Sequence, residues 1–140
     1  MMLEMRVMLI ASILAGLLTI MSIFVNKSGD IRISFNDIYV IALMVGWMFL
    51  FMSIYYRNSF IFTISLIAII SSLIFIRTQF GISLNQYYNN MIPHHSMAVF
   101  LSKKVLENNC MDDEDKEFIE NIIQTQEDEI KFMKERIDCR

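Results

Sequence analysis

The stretch Tyr87–Val99 reads YYNNMIPHHSMAV. It contains both histidines of the chain, His94 and His95, and its only proline, Pro93. It lies where an apolar N-terminal half of the chain gives way to a charged C-terminal half. What these residues do therefore depends on how the two halves fold around them.

The two halves differ sharply in charge. The chain has 140 residues, of which 55% are hydrophobic. Residues 1–77 carry a net charge of +2, whereas residues 78–140 carry −5. An acidic C-terminal half makes nucleic acid an unsuitable partner, because neutralising phosphates requires a basic surface.

Three apolar runs occupy the first half, at about residues 7–25, 38–56 and 60–76. At about 1.5 Å per residue, each helix would be long enough to cross the hydrocarbon core of a bilayer. We predict a transmembrane domain over residues 1–77, with three spans and the lipid bilayer as its partner. The basic residues flanking the runs are too evenly divided to orient them.

The second half, residues 78–140, predicts two helices at about 84–108 and 112–137. Ser83 is a suitable N-cap for the first helix, and Asp112 or Asp113 for the second. On a helical wheel, one face of the first helix collects the residues expected to be buried: Tyr87, Tyr88, Met91, His94, His95, Ala98, Ser102 and Val105. The histidines thus share a face with Met91, at spacings of three and four residues.

Pro93 interrupts the backbone hydrogen bonding of this first helix. Either the helix is kinked beside the histidines, or the ordered helix begins near Pro93, where a missing N–H is tolerated. The sequence leaves both alternatives open.

The second helix has a seam in which Gln126 is the polar member: Ile119, Ile123, Gln126, Ile130, Met133 and Ile137. If the two helices fold back about Cys110, His94 comes opposite Gln126, Met91 opposite Glu129 and Tyr87 opposite Met133. This register predicts a metal site shared between the helices. It would be formed by Met91, His94 and His95 with Gln126, Glu129 and Met133.

The two-part pattern MIPHHSMAV at 91–99 and QxxEIxxM at 126–133 resembles the domain-of-unknown-function 305 (DUF305) family. The resemblance covers about residues 84–137, and the Arg-Thr-Gln segment at 77–79 extends it toward the membrane spans. Two departures are that Leu101 stands where members often have Met, and that no Trp ends the second helix.

The resemblance implies an all-α, ferritin-like hairpin and binding of copper or another metal. By position it implies the ligands His94, His95, Met91 and Met97, with Glu129 and Met133 on the partner helix. It also implies a C-terminal domain on the non-cytoplasmic side of the membrane.

Each residue also has a structural alternative. The histidines could be hydrogen-bonded at a helix interface, Gln126 could fix the helix register, Glu129 could be solvated, and Met97 could be a packing residue. A hairpin of this size buries a poor core alone, which predicts a homo-oligomer in which each copy supplies half of a four-helix bundle. Cys110 and Cys139 lie at opposite ends of one helix, too far apart for an intrachain disulfide.

The resulting prediction is a multi-pass membrane protein that sequesters or handles a transition metal. Imidazole and thioether ligands favour Cu(I), and zinc or iron are alternatives. No set of nucleophile, base and electrophile is present, so no catalysis is expected. The alternative is a structural, oligomerising membrane protein whose histidines are polar core residues.

Overall fold

The computed structural model describes residues 2–18 and 24–138, and within these it contains only helices and connecting segments. The helices are α1 (Met2–Leu18), α2 (Phe35–Tyr55), α3 (Ser59–Thr78), α4 (Leu84–Asn108) and α5 (Asp113–Asp138). A short 3-10 turn, Ser28–Asp30, lies between α1 and α2. The all-α prediction is confirmed for the part of the chain that is described.

Two described helices, α2 and α3, are long and apolar enough to cross a membrane. The apolar part of α1, Arg6–Leu18, is shorter than a span. The predicted first span at 7–25 includes residues 19–23, which lie outside the described residues. Two of the three predicted spans therefore have the expected length and composition.

The chain forms two compact units. The first contains α1, α2 and α3, with α2 packed against both of its neighbours. Gly46 of α2 is needed for close packing, because a Cβ atom there would lie 2.9 Å from Ile69 Cγ1 of α3. Buried hydroxyl groups in this unit donate to carbonyl groups of their own helix, as Ser65 does to Ile61 at 2.8 Å.

The second unit is the hairpin of α4 and α5 together with the segment before α2. The predicted hairpin domain, residues 78–140, did not include this segment, because both candidate spans lie between it and the hairpin in the sequence. The described part of the segment, residues 24–34, is tied to α4 and α5 by hydrogen bonds that Asn26 and Ser34 donate and that Asp30 accepts.

Capping residues set the ends of the hairpin helices as predicted. The Ser83 side chain accepts a hydrogen bond from Gln86 N at 3.4 Å, and α4 then begins at Leu84. Asp112 Oδ1 accepts from Asp115 N at 2.8 Å at the start of α5. The helix continues through Pro93, so the alternative in which it begins at that proline is wrong.

The hairpin core is made by Ile92 and Val99 of α4 with Ile130 and Met133 of α5. On α5 this is the predicted seam, with Ile123 and Ile137 packed at its margins. On α4 the buried residues are Ile92, Pro93, Ser96 and Val99. The face of α4 that is buried therefore differs from the predicted one by a rotation of about 100° around the helix axis, which corresponds to one residue.

Candidate functional site

Two residues of the predicted site, His95 of α4 and Glu129 of α5, lie in contact with each other. His95 Nδ1 lies 2.9 Å from Glu129 Oε2, with side chains that are 13% and 50% exposed. Nδ1 itself is buried and makes no hydrogen bond of good geometry with described residues, so the contact is an ion-pair distance without hydrogen-bond alignment. Gln126 Nε2 approaches the same Glu129 oxygen at 3.5 Å.

The electrostatic environment of His95 favours a neutral imidazole. Burial lowers the pKa of His95 below its ordinary value of 6.5, and the neighbouring His94 adds to that shift. The Glu129 carboxylate opposes it by stabilising the protonated ring. Because burial is the larger effect, the lowered pKa favours the neutral ring, which is the form that a metal ion requires of a histidine ligand.

His94 is exposed rather than buried, and its ring centroid lies 6.1 Å from that of His95. The predicted contact between His94 and Gln126 is therefore not present; Gln126 contacts Glu129 instead. The reason is the register of the hairpin. His95 and Glu129 are equally far in sequence from Asp112, so the helices reverse about Asp112 rather than about Cys110.

The three predicted methionines have different surroundings. Met133 is buried in the hairpin core, and Met91 is half-buried against that core. Met97 is also half-buried. The thioether of Met133 is thus a packing group among Ile92, Val99 and Ile130, whereas Met91 lies toward the edge of the core on the side of the histidines.

The fit to a metal ion is partial within one chain. Metal-bound histidines commonly donate their second ring N–H to a carboxylate, and His95 Nδ1 lies within that distance of Glu129 Oε2, although the contact is not aligned as a hydrogen bond. However, the described residues contain no group of three or more His, Cys, Asp or Glu side chains placed to hold one ion. The described residues of one chain therefore offer two imidazoles and a neighbouring carboxylate, without a third His, Cys, Asp or Glu ligand placed to complete the set.

A second polar cluster, which the sequence analysis missed, lies beside the histidines on the buried face of α4. Ser96 is fully buried and donates to Asp30 Oδ2 at 2.6 Å, while it accepts from Asn26 N at 2.9 Å. The other carboxylate oxygen of Asp30 accepts a hydrogen bond from Lys134 Nζ of α5. Ser34 Oγ adds a 3.1 Å hydrogen bond to Asn90 Oδ1.

This cluster fastens the segment before α2 to the middle of the hairpin. Asp30 is 2% exposed, and its burial is tolerable because both carboxylate oxygens are paired, one of them with a charge. A signal for it existed in the sequence: Ser96 lies within the histidine motif, and Asp30 is an acidic residue in the short segment between two apolar runs. The two residues are 66 positions apart in the sequence, so no local pattern could predict that they lie in contact.

The sequence that forms the hairpin matches a described domain family. Residues 83–137 match the family model described as "Domain of unknown function (DUF305)". Over 140 aligned residues, covering 95% of this chain and 90% of its relative, the chain is 41% identical to "Uncharacterized protein L153" of Acanthamoeba polyphaga mimivirus. The chain belongs to the DUF305 family and shares nearly its full length with this viral relative. No solved structure matches it.

Proposed function

We propose that the protein is an integral membrane protein whose helical hairpin binds a transition-metal ion through His94 and His95, with copper preferred. The observation that carries this proposal is the His95 imidazole, whose Nδ1 lies 2.9 Å from Glu129 Oε2 and whose pKa is lowered by burial. A neutral imidazole oriented by a carboxylate is a good ligand for copper, zinc and iron. The function would be sequestration or handling of the ion, without catalysis.

The roles of the remaining residues follow from their surroundings. Glu129 would orient His95, and Gln126 would in turn hold Glu129. Met91, three and four residues before the histidines, would be the thioether that joins the imidazoles, and a sulfur ligand would favour Cu(I) over zinc. Met97 and Met133 were implied as ligands by the family pattern; the burial of Met133 in the core favours a packing role for it.

The membrane setting completes the proposal. We infer that α1 and the residues that follow it form a third span beside α2 and α3, and that the hairpin lies on the non-cytoplasmic side. Support for the third span is the uncharged run from Val7 to Val25. A cysteine-accessibility assay with a membrane-impermeant maleimide tests the side, using the exposed Cys110. Labelling of intact cells is expected, and labelling only after lysis would contradict the orientation.

The metal proposal is tested on the full chain in detergent, purified without a histidine tag. Competition with a chromogenic Cu(I) chelator is expected to show binding that is lost in the His94→Ala/His95→Ala double variant. Equal affinities in the wild type and the double variant would refute the proposal.

A matched pair of acidic variants tests the role of Glu129. Glu129→Gln is expected to weaken binding by about 10- to 100-fold, as loss of an orienting carboxylate does at other sites. Glu120→Gln, the same change at an exposed position of α5, is expected to leave affinity unchanged. Equal effects of both changes would show that general charge, rather than orientation of His95, determines affinity.

A second candidate function is purely structural, and the His95–Glu129 contact also favours it, because the contact pairs His95 within the chain. In that case the double histidine variant would lose thermal stability, and added metal would not change the melting temperature of the wild type. Metal-dependent stabilisation of the wild type, absent from the double variant, is the result that excludes this candidate.

A further inference from the structure

α4 carries a second hydrophobic stripe besides the one that packs on α5. Its members alternate at spacings of three and four residues over three heptads: Leu84, Tyr87, Met91, His94, Ala98, Leu101 and Val105. This is the spacing by which one helix packs along another. We call these seven residues the outer stripe of α4.

Apart from Met91, which packs against the hairpin core, and the half-buried Ala98, the outer stripe is exposed. Leu84, Tyr87, Leu101 and Val105 are between 41% and 50% exposed, although each has a large apolar side chain. The contact with α5 is made by the neighbouring face, through Ile92 and Val99. A helix that already buries one face and exposes a second apolar stripe indicates a binding surface.

The charge pattern supports this interpretation. Residues 84–102 contain no Asp, Glu, Lys or Arg, so neither the stripe nor its flanks carry a formal charge over that length. The exposed side of α5, by contrast, is crowded with acidic and basic residues. A helix facing only water would be expected to carry comparable charge along its outer side.

The spacing of the stripe allows it to pair with a second copy of itself. His94 is its central member, with three positions on either side. If two copies pair in opposite directions, Met91 meets the small Ala98, Tyr87 meets Leu101 and Leu84 meets Val105. If they pair in the same direction, each residue meets its own counterpart. In both directions the two-fold symmetry brings His94 opposite His94 of the second copy.

A lipid surface is the other apolar partner to consider. Helices that lie on membranes combine an apolar face with flanking Lys and Arg that attract anionic headgroups. The outer stripe has no basic flank before Lys103. The stripe therefore fits another helix of its own kind better than it fits a lipid surface, and two chains held in one membrane meet at a raised effective concentration.

We propose that the protein is a homodimer whose contact is the outer stripe of α4, and that this contact brings the two His94 side chains together at the symmetry axis. The contact itself needs no metal. Its consequence rests on the function proposed above: the dimer would supply a second pair of imidazoles to a coordination sphere that one chain leaves incomplete.

The test uses the full chain in lipid nanodiscs or detergent with a metal chelator present throughout. Light scattering measures the protein mass of the wild type, Leu101→Glu and Phe118→Glu. Both variants replace an exposed apolar residue of the hairpin by Glu, but Phe118 lies on α5, outside the stripe. We expect a dimer for the wild type and Phe118→Glu, and an about twofold smaller mass for Leu101→Glu.

Three results would overturn the proposal: a monomeric wild type, a dimeric Leu101→Glu, or dissociation by both variants alike. Circular dichroism on each variant establishes that the helices are retained.

Cross-linking provides an independent measurement at the symmetry axis. In a Cys110→Ser/Cys139→Ser background, His94→Cys is expected to give a covalent dimer with a short bis-maleimide. Glu107→Cys, on the opposite side of α4, is expected to give none. Equal cross-linking at the two positions would refute the predicted axis. Because neither measurement involves metal, a failure of the metal titration would leave this inference standing, and a failed dimer would leave the titration valid.

Discussion

The helices α4 and α5 form one hairpin, yet their outer sides differ. Both helices bury an inner face, on which Ile92 and Val99 of α4 pack against Ile130 and Met133 of α5. More than half of α5 is charged, so only its seam can be buried. In α4 the charged residues are Lys103, Lys104 and Glu107, all near its C-terminal end.

This difference explains why sequence patterns locate the buried face of one helix and misplace that of the other. In α5 the charges leave a single apolar stripe, so the seam follows from the residue types alone. In α4 two stripes compete, and nothing local states which of them α5 will cover. A helix that lacks charged residues over most of its length thus indicates two packing surfaces on that helix rather than one.

The largest expected difference in stability is between a substitution on the buried side of α4 and one on the exposed side of α5. Ile92→Ala empties a fully buried position and should lower the free energy of unfolding by about 3 kcal/mol. Phe118→Ala, at a position that is 64% exposed, should change it by less than about 0.5 kcal/mol. Hydrogen exchange of α5 amides in the full chain measures both. A large loss in Phe118→Ala would show that the outer side of α5 also has a partner.

The next largest effect concerns the polar centre of the inner seam. Asp30→Ala removes the carboxylate that Ser96 and Lys134 share, and should cost about 2 kcal/mol, since hydrogen bonds to charged groups are the stronger ones. Faster hydrogen exchange in residues 24–34 should accompany the loss. Asp128→Ala, at an exposed position of α5, is the matched control and should have little effect. Equal exchange in both variants would mean that Asp30 does not hold the segment.

A smaller effect compares the N-termini of the two helices. Asp112→Ala removes a 2.8 Å capping bond and the favourable charge at the start of α5, with an expected cost of about 1 kcal/mol. Ser83→Ala removes a longer 3.4 Å bond from α4 and should cost less. Thermal unfolding followed by circular dichroism gives the order of the two. The reverse order would indicate that Ser83 has a role beyond capping.

The smallest expected effect is the pH dependence due to His95 in metal-free protein. Its pKa is lowered in the folded state, so the unfolded chain binds more protons once the pH falls below about 6.5. The melting temperature should therefore fall between about pH 7.5 and about pH 5.5. The dependence should weaken in His95→Gln and persist in His94→Ala, where His95 remains. A melting temperature that rises on acidification would instead show that the attraction of Glu129 outweighs burial.

The sequence determined the helices, their caps and the α5 seam, because these depend on residue type and on spacing within one helix. Ser83 and Asp112 cap α4 and α5 as their chemistry predicts. It also determined that both histidines lie on one turn of α4. It overstated their shared burial, since it predicted a buried face that included both histidines, whereas the structure buries the face of Ile92, Ser96 and Val99.

Only the tertiary structure decided which side of α4 meets α5, and that Glu129 approaches His95 rather than Met91. It also decided that the segment before α2 belongs with the hairpin. The physical reason is that these contacts join residues far apart in the chain. The buried Asp30 carboxylate is tolerated because Ser96 of α4 and Lys134 of α5 both donate hydrogen bonds to it. The residue pattern of a single helix cannot predict contacts that join three separate segments of the chain.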